Sequence, residues 1–394
     1  MYSDKIDELH SIVFSRFIRK PYGHMLDYAS KRTEDTPIPT AEECNKGMPN
    51  ALSWWVPIEN GAFFTSLYFY SLICGDNPDK DELDLLLNGM FIFADVGNVK
   101  GFIARGVGDD GISHYPLGSD DQTGPWMLAM YKAYRSVYFS AEQKQGIAKR
   151  IKAVGESLYE HSFDIVADIP GVFRGSFRHA DWRGCCYNLF VHYVMADLFG
   201  GKWRERYENA TAERFSGTPY TRLEIVSHGF APDMVSSNGL IQFWIHIGNH
   251  LCVKELAELD KQNSEIYTRA LVNDAATAVR FINNYKQYVP DMPFDENFRV
   301  LNKFYEPFDG DSAREAQKAM EQNAYWMDKI VPARRYEHDV LGQAIFAMWI
   351  CLSSPDKAAF EAAKNALIAC VDTIDWHKLN LCYSFVVEAA LRLI

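Results

Sequence analysis

The sequence is poor in several features, and each absence removes a class of function. No stretch reaches the roughly 18 uninterrupted apolar residues of a membrane-spanning helix, so no membrane partner is expected. Lys and Arg form no run, and a net charge of −12 repels phosphate backbones, so nucleic acid is not an expected partner. The opening MYSDKIDELH has no basic region followed by an apolar one, which fits a cytoplasmic protein, or a periplasmic one whose export signal has been removed. No C-x-x-C pair occurs among the eight cysteines. Six lie in apolar helical runs, and Cys185 and Cys186 are adjacent, where bridging would strain the backbone, so free thiols are expected. There is no Ser-centred nucleophile elbow, no phosphate-cradling P-loop and no dinucleotide fingerprint, because GVGDDG follows no strand of a βαβ unit. His246 and His250 share a helical face in WIHIGNHL, but H-E-x-x-H is absent and no third ligand is apparent. A hydrogen-bonded core pair is expected there, with no metal and no cofactor.

What is present is apolar and aromatic. Hydrophobic residues make up 48% of the chain and charged ones 23%, enough for an extensive core. Aromatics reach 14%, more than a core alone requires, and suit a pocket that stacks on flat ligand faces.

Spacing near 3.6 predicts helices over about 4–19, 57–74, 80–97, 121–138, 142–163, 182–199, 202–214, 237–256, 263–287, 338–353, 356–372 and 376–393. A further helix is expected near 312–328, inside an insertion at about 288–337. Two kinds alternate. Segments such as IENGAFFTSLYFYSLI and CCYNLFVHYVMADLF are apolar nearly all round and must be buried on most faces, whereas EQKQGIAKRIKAVGESLYEHS and KWRERYENATAERF want one face in water. Loops leaving the apolar helices are short and loops leading into them are long. The expected fold is therefore all-α and a single domain over 1–394. It is an (α/α)6 toroid, with six inner helices inside six outer ones and elaborated loops at one end, where sites are usually built. The apolar helices should all begin at that end.

The long loops deliver the polar residues. In GFIARGVGDDGISHYPLGSDDQTGPW, which holds Arg105, His114 and Tyr115, Ser119 and the two acids Asp120 and Asp121, followed by Gln122, open an apolar helix. One of them suffices as a cap. Because neighbours on a helix point about 100° apart, a second can look inward, where burial would raise its pKa. Asp121 is the expected inward acid. In GVFRGSFRHADWRGCCY, Asp181 is the candidate cap, while Arg178 and Arg183 flank His179 and Trp182 and can clamp a carboxylate, with Arg105, Arg174 and Arg334 next in line. Other long loops offer Trp54, Trp55 and Asn60, then His228 and Asp233, then Arg334, Arg335 and His338, and Trp244 stands beside His246.

SDDQTGPWMLAMYKAY and DWRGCCYNLFVHYV resemble the unsaturated glucuronyl and rhamnogalacturonyl hydrolases, which are (α/α)6 toroids. The resemblance covers about a third of the chain. It puts Asp121, or Asp120, in the place of the helix-opening acid, and Trp182-Arg183-Gly184 in the place of a later inner-helix motif. The chain departs from that pattern in having Trp and Arg adjacent and Tyr187 as the closing aromatic. GFIARG…HYPLGSDDQ also resembles toroidal polysaccharide lyases.

These resemblances imply hydrolysis of a uronic-acid-containing oligosaccharide. Asp121 would be general acid/base, with Asp120 or Asp181 as second carboxyl. Trp126, Trp182, Trp244 and Tyr115 would stack on sugar rings, and Arg178 or Arg183 would hold the carboxylate. Elimination is the alternative, with His114, His179 or Tyr115 as base and a cation on the uronate. A non-catalytic helical scaffold, its carboxyls used only as caps, is the third reading.

Overall fold

The computed structural model describes residues 2–45, 52–214, 218–230, 242–296 and 329–394. The helix expected at 312–328, Asp233, the first residues of the helix expected at 237–256 and the side chain of Trp54 lie outside the described part. Among the described residues the chain is all-α apart from two short antiparallel ribbons. In one, β1 (Ile18–Arg19) pairs with β2 (His24–Met25). In the other, β3 (Asp164–Val166) pairs with β4 (Phe173–Ser176). No helix among the described residues is long and apolar enough to cross a membrane.

The longer helices are α1 (Ser3–Ile12), α2 (Gly61–Cys74), α3 (Lys80–Asp95), α4 (Asp120–Arg135), α5 (Ala141–Glu160) and α6 (Trp182–Phe199). They continue with α7 (Lys202–Ala212), α8 (Phe243–Leu259), α9 (Ser264–Ala278), α10 (Gln343–Ser353), α11 (Lys357–Thr373) and α12 (Ser384–Leu391). Their starts follow from local chemistry. Asp79 accepts from the amides of Asp81 and Glu82 to cap α3, Ser140 and Gln143 form a reciprocal capping box on α5, and Asp356 caps α11.

The apolar and amphipathic helices sort by burial. Every residue of α2 except Cys74 is buried, as is all of α10, whereas α5 buries only a stripe that includes Ile147, Ile151, Val154 and Leu158. Helix α2 contacts α4, α4 contacts α6, α6 contacts α8, α8 contacts α10 and α10 contacts α12, and α12 returns to α2. Each of these six also contacts a helix of the second group: α3 on α2, α5 on α4, α7 on α6, α9 on α8, α11 on α10 and α1 on α12.

Hydrogen bonds fix the direction of the apolar helices. The Phe63 amide near the start of α2 donates to Gln122 Oε1 near the start of α4 at 2.9 Å, and the Phe243 amide donates to Gln343 Oε1 at 3.1 Å. Asp120 meets Arg183 across the starts of α4 and α6, and Asn249 Nδ2 donates to the Arg183 carbonyl at 3.1 Å. At the far ends, Tyr70 and Lys132 both reach Glu255. Helices α2, α4, α6, α8 and α10 therefore start at one end of the molecule. Tyr187 is wedged between two of them: a Cβ at Gly124 would fall 2.3 Å from its ring, and one at Gly248 would fall 2.6 Å from its hydroxyl.

Several expected boundaries are corrected. Residues Leu52–Ile58 form a 3-10 segment containing Pro57, and the α-helix begins only at Gly61. Ser3–Ile12 passes into a π turn at Val13–Phe17. The helix expected at 263–287 ends at Ala278 and is followed by a separate 3-10 turn at Asn284–Gln287. The one expected at 338–353 is an α turn at Pro332–Tyr336, a π turn at Glu337–Gly342 and then α10. The last, expected at 376–393, is a 3-10 turn at Trp376–Lys378 and α12, with Leu381 between them bridged to Tyr28. The loop expected at 164–181 contains the β3–β4 ribbon.

Candidate active site

The starts of the apolar helices carry a continuous polar belt. Arg334, from the short α turn before the π segment, donates to Asp27 at 2.7 Å and to Glu59 at 3.4 Å. Asn60 Nδ2 donates to Asp27 at 3.1 Å, and Gln122 Nε2 donates to Asn60 Oδ1 and to Asp121 Oδ2, both at 3.2 Å. The Ser119 hydroxyl donates to the other Asp121 oxygen and itself accepts from Arg105 Nη2 at 2.9 Å. Arg105 also reaches the carbonyls of Leu117 and Glu59, each at 3.3 Å. Asp120 pairs with Arg183.

Neither acid at the start of α4 is a cap: Ser119 occupies the cap position without a capping hydrogen bond, and its hydroxyl serves Asp121 instead. The helix starts with two buried carboxyls whose environments differ. Burial and the neighbouring Asp121 charge push the Asp120 carboxyl above its ordinary value, with Arg183 pulling against them. For Asp121, burial is outweighed by Arg105, the Ser119 hydroxyl, Arg183 and Arg174, so its carboxyl is held below the ordinary value. The raised pKa expected at Asp121 is thus found one residue earlier, because Asp121 collects more positive charge and a hydroxyl donor. Asp27 and Glu59 are both raised by burial against the opposing pull of Arg334.

The belt is flanked by rings with unmatched polar atoms. Trp55 and Tyr115 are 5.5 Å apart, Phe63 and Trp244 5.5 Å, and Trp244 and His338 5.3 Å. Buried Trp55 Nε1, Trp244 Nε1, Asp27 Oδ1, Asn249 Oδ1, His246 Nδ1 and Arg174 Nη1 have no hydrogen-bond partner among the described residues. His246 stacks on Phe230 and is held neutral, its pKa drawn down to about 3 by burial and by Arg183. His338, bonded through Nδ1 to Tyr383, is likewise drawn down to about 3 by burial and by Arg334 and Arg335.

Of the residues singled out from sequence, the structure brings Asp120, Asp121, Arg105, Arg183, Asn60 and Arg334 into the belt, with Trp55, Tyr115, Trp244 and His338 around it. Others lie apart. Arg178 is 57% exposed at its side chain and pairs with Asp164 at 3.1 Å on the outside of the ribbon. His179 and His228 are exposed, and His228 packs edge-on to Tyr220. His114 is tied to Asp168 at 3.0 Å. Asp181 caps α6 by accepting from the Gly184 amide at 2.6 Å. Trp126 is core, its indole donating to the Met90 carbonyl at 2.8 Å, and Trp182 is buried against Phe230 and His246. His250 is bonded to Asp274 at 2.8 Å, and no group of three His, Cys, Asp or Glu able to hold a metal occurs among the described residues. Asp27 and Glu59 escaped the sequence reading, whereas Gln122 stood among the polar residues opening the apolar helix without being given a role. Asp27 and Glu59 sit in stretches with no motif, but Gln122 directly follows the acid pair. Compared with protein-family models, curated proteins and solved structures, the chain matches none.

Proposed function

We propose that the chain is an (α/α)6 toroid carbohydrate-active enzyme that hydrolyses a uronic-acid-containing oligosaccharide, with Asp120 and Asp121 as its acid/base pair. One observation carries the reading: two adjacent buried carboxyls are pushed in opposite directions, beside three arginines and a set of aromatic rings. Adjacent acids with pKa values driven apart divide into a proton donor and a carboxylate, and together titrate as a pair. The closed series of helix contacts, with the apolar helices starting at one end, supports the toroid.

In a hydrolysis of the unsaturated-uronyl type, Asp120 gives its proton to the C4 carbon as the C4–C5 π electrons form the new C–H bond. The oxocarbenium left at C5 takes a water oxygen, and Asp121 receives the proton that water loses. The resulting hemiketal opens at its C5–ring-oxygen bond to a C5 ketone, and the hemiacetal left at C1 then breaks down to an aldehyde and releases the next sugar.

Elimination is the weaker reading. It needs a base, and His114 is bound to Asp168, His179 is exposed, and Tyr115 is fully buried against Trp55. The test is incubation with unsaturated and saturated uronate oligosaccharides while following the ultraviolet absorbance of the unsaturated end. Loss of absorbance supports hydrolysis, a gain replaces it with elimination, and no change with no reducing sugar sinks both.

A further inference from the structure

We propose that Arg174 is the residue that binds the acidic group of the ligand, and that the group is a monoanionic carboxylate. This rests on the preceding reading of the site as one for an acidic sugar, and assigns the recognition to an arginine on the β3–β4 ribbon instead of Arg178 or Arg183.

The ribbon is built to lie on the acid pair. Gly175 has φ +80, and a Cβ there would fall 2.9 Å from Asp120 Oδ1, so only glycine lets the strand approach so closely. Its neighbour Arg174 is thereby set in the field of Arg105, Tyr115, Asp121 and Glu59. The other arginines of the belt are engaged. Arg183 is paired with Asp120, Arg334 with Asp27 and Glu59, and Arg105 is bonded to Ser119 and two carbonyls. Arg174 makes no ion pair among the described residues, and its buried Nη1 has no acceptor. Arg174 is part-buried, and burial and the Arg105 charge beside it weigh against its cation, with Asp121 and Glu59 offsetting them only in part. An anion held by Arg174 relieves both.

The chemistry of that anion follows from its surroundings. A guanidinium fork matches a carboxylate bidentately. Asp120, Asp121 and Glu59 already contribute acidic groups, so a dianionic phosphate would meet more repulsion than a single carboxylate charge. The buried Trp55 and Tyr115 rings, 5.5 Å apart, give this part of the belt an apolar wall.

The test uses the full chain and calorimetric binding of a glucuronate-terminated disaccharide, its carboxyl-reduced counterpart and inorganic phosphate. Wild type should prefer the glucuronate disaccharide to both. Arg174→Met should weaken glucuronate binding about ten- to a hundred-fold, the loss of a charge-assisted hydrogen bond, while leaving the reduced disaccharide unchanged. It should also raise the melting temperature of the ligand-free protein, because it removes a part-buried charge that has no ion pair. An arginine with a merely structural role would lower it. Arg174→Lys, which keeps the charge and loses the fork, should fold and lose part of the preference. Arg150→Met, at a surface pair with Asp95, should change neither binding preference. If wild type discriminates and Arg174→Met discriminates equally, or if phosphate binds more tightly than glucuronate, the assignment of Arg174 is overturned. If wild type shows no preference between the two disaccharides, the acidic-sugar reading itself fails.

Discussion

The two ends of the apolar helices bury similar charged groups and treat them oppositely. Where the helices finish, Glu255 receives Tyr70 and Lys132, each at 2.7 Å. Glu388 receives Arg392 at 2.7 Å, Tyr68 at 3.0 Å and His10 at 3.0 Å, and His10 in turn bonds Glu82 at 3.1 Å. No buried atom of either glutamate lacks a partner. Where the helices start, Asp27 Oδ1, Arg174 Nη1 and two indole N–H groups have none among the described residues, and four carboxyls share the arginines. A saturated network holds a fold together. An unsaturated one is destabilising, and proteins keep such places where a ligand completes them. Burial of charge alone would not separate the two ends; the bookkeeping of donors and acceptors does.

The sharpest way to break that contrast is to neutralise one acid at each end. Asp120→Asn and Asp121→Asn should each lower turnover by about 10²- to 10⁴-fold, the usual contribution of a positioned acid or base. Glu255→Gln should leave turnover at the wild-type level. Equal losses at both ends, measured as kcat/KM on a uronate substrate, would erase the functional distinction.

Stability should show the converse. Glu388→Ala strands Arg392, Tyr68 and His10 and should cost about 3–5 kcal/mol in denaturant unfolding, as breaking a buried ion pair does. Arg174→Met, by contrast, should gain stability. A smaller cost, about 1–3 kcal/mol, is expected for Gly175→Ala, which forces a side chain into a positive-φ position against Asp120; its melting temperature checks this, and an unchanged value would mean that the ribbon yields.

The finest test is pH. The proposed mechanism needs Asp121 ionised and Asp120 protonated. Activity should rise as pH passes the lowered pKa of Asp121 and fall as it passes the raised pKa of Asp120. Arg183→Met should move the falling limb upward by about a unit or more, since an adjacent opposite charge shifts a carboxyl by 1–3 units. At the other end, burial lowers the His10 pKa, but Glu388 and Glu82 outweigh it and leave it raised above 6.5. Charged His10 therefore contributes stability that is complete below 6.5 and is lost as pH climbs through the raised value. His10→Gln should flatten that dependence in thermal unfolding; an unaltered slope would remove His10 from the account.

Much of this was legible in the sequence where a segment's own chemistry decides its structure. Helix 182–199 was expected with the bounds it has, because an acid cap precedes an apolar run that stops at Gly200-Gly201. Segments decided by distant partners were not. Leu381 is held extended by Tyr28, which delays the start of the expected final helix to Ser384, and the β3 and β4 strands are too short to show alternation. The site divides in the same way. Asp120, Asp121 and Arg183 stand beside helix starts and were singled out, whereas Asp27 and Glu59 join the belt through distant partners: Arg334, some 300 positions from Asp27, reaches both, and Asn60 reaches Asp27. Crowding of Arg178 and His179 beside Trp182 said nothing of which side of the ribbon they would take.

Tyr187, lodged against Gly124 and Gly248, has a consequence for how such a chain can change over generations. Any side chain at either glycine collides with the ring or hydroxyl, and a smaller residue at 187 leaves a hole between α4, which carries the acid pair, and α8. The three positions form a ratchet: each tolerates replacement only after another has already been replaced. Sequences descended from this one should therefore keep the trio intact or exchange it as a set. A library that randomises all three together should recover folded variants that no single-site library contains.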